Sequence, residues 1–185
     1  MNQTLETIAA RRSHRAYEAM PLTKEQTDII LKAAVESPSA RNAQPWHFTV
    51  VTDQNVLREI NGETRRIMME TDPAKRNKRF DDSGFDVFYH APTVIVLSGD
   101  KENGWSALDC GIAVENIALA AESIGLGSVI LGLPKAAFYG PRAAEFKEML
   151  GIPATHEFQI AISLGVPTDT KEKHLVGDNK INFIG

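Results

Sequence analysis

A short apolar run constrains this chain more than any other feature. Thr93-Val-Ile-Val-Leu97 shows no polar alternation and is preceded by Pro92. A strand with one wet face alternates apolar and polar side chains, whereas one buried on both faces reads as a continuous apolar run. This segment is therefore expected inside a sheet that is covered on both sides. One covering element is legible downstream. Over 105–124, Ala107, Cys110, Gly111, Val114, Ile117, Ala118, Ala121 and Ile124 recur at helical spacing, and Gly125 stands where a C-capping glycine belongs.

The remaining elements follow from caps and punctuation. Residues 3–12 read as a short helix ending at Arg11-Arg12. Thr23 and Gln26 have capping-box spacing, and Ile29, Ile30, Ala33 and Ala34 form a stripe that Pro38 stops. WHFTVVT reads as a strand, 54–61 as a short helix, SVILGL as a strand, 141–150 as a helix and 156–165 as a strand. Residues 62–84 are densely charged around Pro73 and read as a variable lid segment running over the body. Residues 166–185 form a C-terminal arm, polar until INFI, whose apolar end needs a sheet edge of its own chain or of a partner. Strands and helices intermingle, so the class is α+β, and 185 residues fit a single domain, 1–185.

Composition removes several functions. A net charge of −4 disfavours nucleic-acid binding, which needs a basic face to displace counterions. No apolar run approaches the roughly 18 residues that span a bilayer. The one cysteine, Cys110, excludes an internal disulfide, suits a reducing cytoplasm, and falls on a helix stripe as a packed residue. The five histidines form no H-x-x-x-H pair, and there is no P-loop or G-x-S-x-G elbow, so no metal site or side-chain nucleophile is expected. Gly125-Leu-Gly127 follows a helix and precedes a strand, the reverse of the order that dinucleotide binding requires.

Two segments remain. Arg11-Arg12-Ser13-His14-Arg15 gathers three guanidiniums and a hydroxyl, which suits phosphate recognition. Cations at a helix C-terminus explain the same residues without any ligand. Ser37-Pro38-Ser39-Ala40-Arg41-Asn42-Ala43-Gln44-Pro45-Trp46 places amide and hydroxyl groups between two prolines that favour an extended backbone. That chemistry can read the edge of a flat heteroaromatic ring, and it also suits a plain helix-to-strand loop.

Together these segments resemble the nitroreductase family of flavin-dependent oxidoreductases. RRSHRAY is similar to its R-R-S-x-R-x-[FY] motif, and SPSARNAQPWHFTVV to its more specific P-S-x-x-N-x-Q-P-W-x-F segment. ALDCGIAVENIALAAESIGLGSVILG resembles the central stretch of the family, and LGVPTDTKEKHLVGDNKINFIG its closing G-x-P segment and arm.

The resemblance implies a mostly antiparallel sheet flanked by helices, in an intertwined homodimer that exchanges C-terminal arms and holds FMN at its interface. It assigns the FMN phosphate and ribityl chain to Arg11, Arg12 and Ser13, and the pyrimidine end of the ring to Arg15. Pro38, Ser39 and Asn42 come from the partner subunit. The backbone N–H of Leu131 meets flavin N5, with Gly132 allowing close approach. Lys180 is favoured over Lys173 and His174 as the C-terminal cation at the phosphate. Trp105 borders the substrate space, and Asp109 and Glu115 read as ordinary surface or interface charges. The implied activity is hydride transfer from NAD(P)H to a small nitroaromatic, quinone or enone acceptor by a ping-pong mechanism, in the cytoplasm. A non-catalytic flavin-storage protein and a specialised dehalogenating or flavin-degrading enzyme are the alternatives.

Overall fold

The computed structural model describes residues 2–173 and 175–185. Helix α1 spans Gln3–Ala10 and is capped by Asn2, whose Oδ1 accepts the Leu5 N–H at 3.0 Å. Helix α2 spans Lys24–Val35 and opens with the expected capping box, Thr23 and Gln26 bonding each other reciprocally. Only Ile30 and Ala34 of its expected stripe are buried; Ile29 faces outward. Strand β1 is Trp46–Val51, helix α3 Gln54–Glu70 and strand β2 Thr93–Asp100. Helix α4 is Ser106–Ser123, strand β3 Gly127–Leu131, and strand β4 His156–Gly165. Between the last two strands lie two short helices, α5 at Lys135–Phe138 and α6 at Ala143–Met149.

The four strands order β1-β2-β4-β3, and every pair is antiparallel. Strand β2 is central and buried on both faces, as its sequence demands. Val94 and Val96 enter one core with Phe80, Phe88, Leu57 and Phe158. Ile95 and Leu97 enter the other with Ile30, Cys110, Val114 and Ile117. A bulge in β4 maintains this division: Leu97 faces Ile160 and Ser98 faces Phe158, so Gln159 is the extra residue. Without it, Phe158 would turn to the opposite core.

Helix α4 ends at a Schellman turn. Gly125 takes φ +77°, and the Leu126 N–H reaches back to the Ala121 carbonyl at 2.9 Å. At the other end Gly99 lets α4 approach the sheet, since a Cβ there would come within 2.8 Å of the Ser106 Cβ. No described helix is long and apolar enough to cross a membrane.

One expectation changes. Helix α3 continues to Glu70 rather than ending at residue 61. Its second half buries Glu63 and Thr64, and Arg66 bonds Glu63 and Glu70 along the outer face. Ion pairs at helical spacing carry the helix through a stretch that apolar periodicity does not mark. The irregular excursion therefore begins at residue 71. Over its first residues the C-terminal arm pairs with the chain's own N-terminal segment. The Glu18 N–H bonds the Val166 carbonyl at 2.9 Å and the Thr168 N–H bonds the Ala16 carbonyl at 3.0 Å. Beyond it, Leu175, Ile181, Phe183 and Ile184 are exposed.

Candidate functional site

The arginine segment is laid along the free edge of β3. Ser13 bridges Ser128 in parallel, and the His14 N–H donates to the Ser128 carbonyl at 2.9 Å. Arg12 turns back over the end of α1, where Nη1 donates to the carbonyls of Ala9 (2.8 Å) and Arg11 (2.7 Å). The helix-capping reading of this arginine is thus correct for part of the side chain. Its Nε is buried and has no partner among the described residues. An orphaned guanidinium nitrogen carries a desolvation penalty that an oxyanion would relieve.

Arg11, Arg12, Ser13, Arg15, Lys171 and Glu172 line one hollow of about 300 Å³. Four cationic side chains against one carboxylate suit a phosphate group. Arg11 Nε lies 3.4 Å from Glu115 of α4. Arg15 Nη1 donates to the Ser13 carbonyl at 3.2 Å, and its guanidinium sits 5.7 Å from the Tyr89 ring centroid. The C-terminal cation in this cradle is Lys171, which the sequence pattern does not single out. Lys180 lies on the exposed arm with its stem near Gly177, Lys173 does not line the hollow, and His174 lies outside the described residues. The one signal for Lys171 is proximity: it stands four residues after Pro167, which is bridged to Tyr17 beside the arginines.

Asp169 joins the two strands of the cradle. Its carboxylate accepts from the His14 ring at 2.7 Å, the Arg15 N–H at 3.0 Å and Lys171 Nζ at 2.9 Å. Burial alone raises its pKa; the bonds from Lys171, Arg15 and His14 outweigh burial and hold it at about 2.

The second segment is anchored on α4. Asn116 Nδ2 donates to Ser37 Oγ at 2.8 Å, and the buried Asp109 carboxylate accepts the Ala40 N–H at 3.2 Å. Seven residues separate Asp109 from Asn116, two helical turns, so one face of α4 holds the first half of the loop, at Ser37 and at Ala40. Asp109 is thus an internal anchor, not a surface charge. The loop is also not extended throughout. A 3₁₀ turn spans Ala40–Asn42, and Arg41, Asn42 and Gln44 all take positive φ (58°, 52° and 47°). Ser39 Oγ accepts the Gln44 N–H at 2.9 Å and stabilises this backbone, which the flanking prolines do not dictate. Pro38, Ala40, Trp105, Leu108 and Ile112 form a shallow apolar hollow of about 230 Å³.

The two segments line different hollows in a single chain. Pro38 and Asn42 are exposed and Ser39 is half-buried. Leu131 closes β3 opposite Ala161, and Gly132 after it is exposed with open space where a Cβ would stand. Cys110 is buried, and burial, aided by the neighbouring Asp109 charge, pushes its thiol up to about 12, so it has no nucleophilic role. Among the described residues no cluster of three or more His, Cys, Asp or Glu side chains is arranged to hold a metal.

An antiparallel α+β domain with a cationic cradle along the edge of its sheet defines a protein built to hold an anionic group. Residues 8–166 match the nitroreductase family. The chain belongs to this family. A nitroreductase with bound FMN from Desulfitobacterium hafniense superposes with a TM-score of 0.93 at 33% identity, covering 100% of both chains. A second, from Bacteroides fragilis and also with bound FMN, gives 0.91 at 29% identity over 100% of both chains. A protein of Archaeoglobus fulgidus, provisionally named NADH dehydrogenase/NAD(P)H nitroreductase, is 34% identical over 96% of this chain and 93% of its own length.

Proposed function

We propose that the protein is an FMN-dependent oxidoreductase that takes hydride from NAD(P)H and passes it to a small acceptor of nitroaromatic, quinone or enone type by a ping-pong mechanism. The observation that carries this reading is the hollow that Arg11, Arg12, Ser13, Arg15 and Lys171 line together; Arg12 Nε, buried without a partner among the described residues, adds to it. Those donors fit a phosphate monoester. FMN, when bound, supplies a ring that accepts hydride at N5 and releases it again.

The chain's own residues bind and orient. Arg11, Arg12, Ser13 and Lys171 hold the phosphate, which fixes the ring by its tail. Arg15, whose guanidinium bonds the Ser13 carbonyl, would stabilise negative charge at the ring's pyrimidine end. Where the edge strand ends, the backbone N–H of Leu131 would meet flavin N5, with Gly132 allowing close approach. No side chain need act as nucleophile or base.

Pro38, Ser39 and Asn42 serve the cofactor of a second copy of the chain. Separation of the two hollows within one chain and the exposed apolar residues Leu5, Ile8, Trp105, Leu108, Phe183 and Ile184 support this homodimer, with the arms exchanged between subunits. The domain is a single unit, and residues 71–84, the irregular excursion after α3, cover the site and select the acceptor. The protein works in the cytoplasm.

Anaerobic addition of NADH or NADPH to the purified yellow protein tests this. Bleaching of the flavin band, followed by recovery of colour with an acceptor, is expected. Yellow protein that neither donor bleaches is a flavin-storage protein or a specialised flavin enzyme instead; colourless protein that binds no FMN removes the reading altogether. Arg15→Ala is expected to weaken FMN binding or lower the flavin potential, and the variant with both unchanged removes Arg15 from the site.

A further inference from the structure

Asp169 has no part in the proposed reaction, yet its carboxylate takes three donors at the edge of the cradle: the His14 ring (2.7 Å), the Arg15 N–H (3.0 Å) and Lys171 Nζ (2.9 Å). The first two belong to the arginine segment, the third to the C-terminal arm. Around it the two strands are joined by Glu18 to Val166 (2.9 Å) and Thr168 to Ala16 (3.0 Å), and the Tyr17 hydroxyl donates to the His14 carbonyl at 2.6 Å. The sheet makes room for this joint. A Cβ at Gly127 would lie 2.8 Å from Pro167 Cβ and 3.0 Å from His14 Cβ, so β3 lets both strands press directly on its backbone.

We propose that Asp169 is a positioning residue that latches the C-terminal arm to the arginine segment and so sets the protein's grip on the phosphate of its flavin. The inference rests on the reading of the cradle as an FMN site. Coulomb's law makes the test decisive. An anion beside a site for a dianion opposes binding, so if Asp169 acted only through its field, neutralising it would tighten FMN. If it acts as a latch, neutralising it frees Lys171 and the Arg15 backbone, and FMN weakens.

The experiment measures the dissociation constants of FMN and of riboflavin for the full-length protein and for Asp169→Asn, by quenching of flavin fluorescence. Riboflavin has the same ring and no phosphate, so it reports the fold and the ring site without the cradle. The latch predicts that FMN binds roughly tenfold weaker or worse in the variant, the scale of a lost charge-assisted bond, with riboflavin changed less than about twofold. FMN binding that is unchanged or tighter overturns the latch, as does equal weakening of both flavins. Wild-type protein that binds neither flavin overturns the cofactor reading together with the latch; wild type that holds FMN beside a variant that holds it equally well overturns the latch alone. Should Asp169→Asn fail to fold, His14→Phe, which removes one donor to Asp169 and changes no residue lining the hollow, gives a selective loss of FMN in the same direction, and its absence counts against the proposal.

Discussion

In the cradle, Arg11, Arg12, Arg15 and Lys171 face one carboxylate in the wall of the hollow, Glu172, and Arg12 Nε has no partner among the described residues. In the loop from Ser37 to Gln44, the polar anchors are bonded inside the chain, to Asn116, to Asp109 and to each other, and what stays open is the apolar hollow beside Trp105 and Leu108. Each region is thus incomplete in a different way. The cradle keeps an excess of cations, four against Glu172 in its wall, Glu115 beside Arg11 and Asp169 beside Lys171, while the loop has apolar surface without a cover. A small anion answers the first and another protein surface the second, which is why we propose that two copies and a phosphate-bearing cofactor complete the molecule.

Either region can be broken separately, and the largest effect is expected at the apolar hollow. Leu108→Glu puts a charge where a partner subunit must bury surface, and dimer dissociation should increase by at least about 1,000-fold. Sedimentation velocity that still finds a dimer at low micromolar concentration would show that this hollow faces no partner. Next comes Arg12→Met, which removes the orphaned nitrogen; FMN affinity measured by fluorescence quenching should fall about 30- to 100-fold, with riboflavin little changed. Equal loss of both flavins would move Arg12 from the cradle to the scaffold.

A smaller effect is expected where the loop is anchored. Asp109→Ala leaves the half-buried Ala40 N–H without its acceptor, a cost of about 1 kcal/mol, and the melting temperature should drop by about 2–4 °C. Asp109→Asn keeps an acceptor and should lose less than half of that. The smallest is a pH effect. The Asp169 carboxyl is held at about 2, below the ordinary value of about 4, so its contribution to stability is complete above about pH 4 and disappears as the pH falls toward 2. Urea unfolding of wild type and Asp169→Asn should therefore show a constant difference from pH 7 to about 5 that closes in stronger acid. A difference that persisted to pH 2 would place the stabilisation elsewhere than in the charge.

Much of the fold is legible in the sequence because its signals are local. The apolar run at Thr93–Leu97, the capping box at Thr23 and the glycine at 125 each specify structure through their immediate neighbours, and each adopts the structure expected of it. Helix α3 outruns its sequence signal because its second half is carried by the Arg66 ion pairs rather than by an apolar stripe. Asp109 departs from expectation for a related reason. A carboxylate on a helix looks like a surface charge until the loop that donates to it is folded back over the helix, and residue 40 is far from residue 109 in the chain. Lys171 is hidden in sequence because three lysines and a histidine share the C-terminal arm, and composition does not rank them.

By itself the sequence determined which chemistry the chain carries: a cluster of guanidiniums, an amide-rich loop and a strand buried on both faces. Such properties belong to residue types and to spacings of a few positions, over which backbone geometry is nearly fixed. Tertiary structure alone decided which groups meet. The free edge of β3 brought residues 13 and 128 together, and the return of the arm brought Asp169 and Lys171 to His14 and Arg15. Contacts between residues more than a hundred positions apart depend on how whole elements pack, and no local pattern encodes that packing.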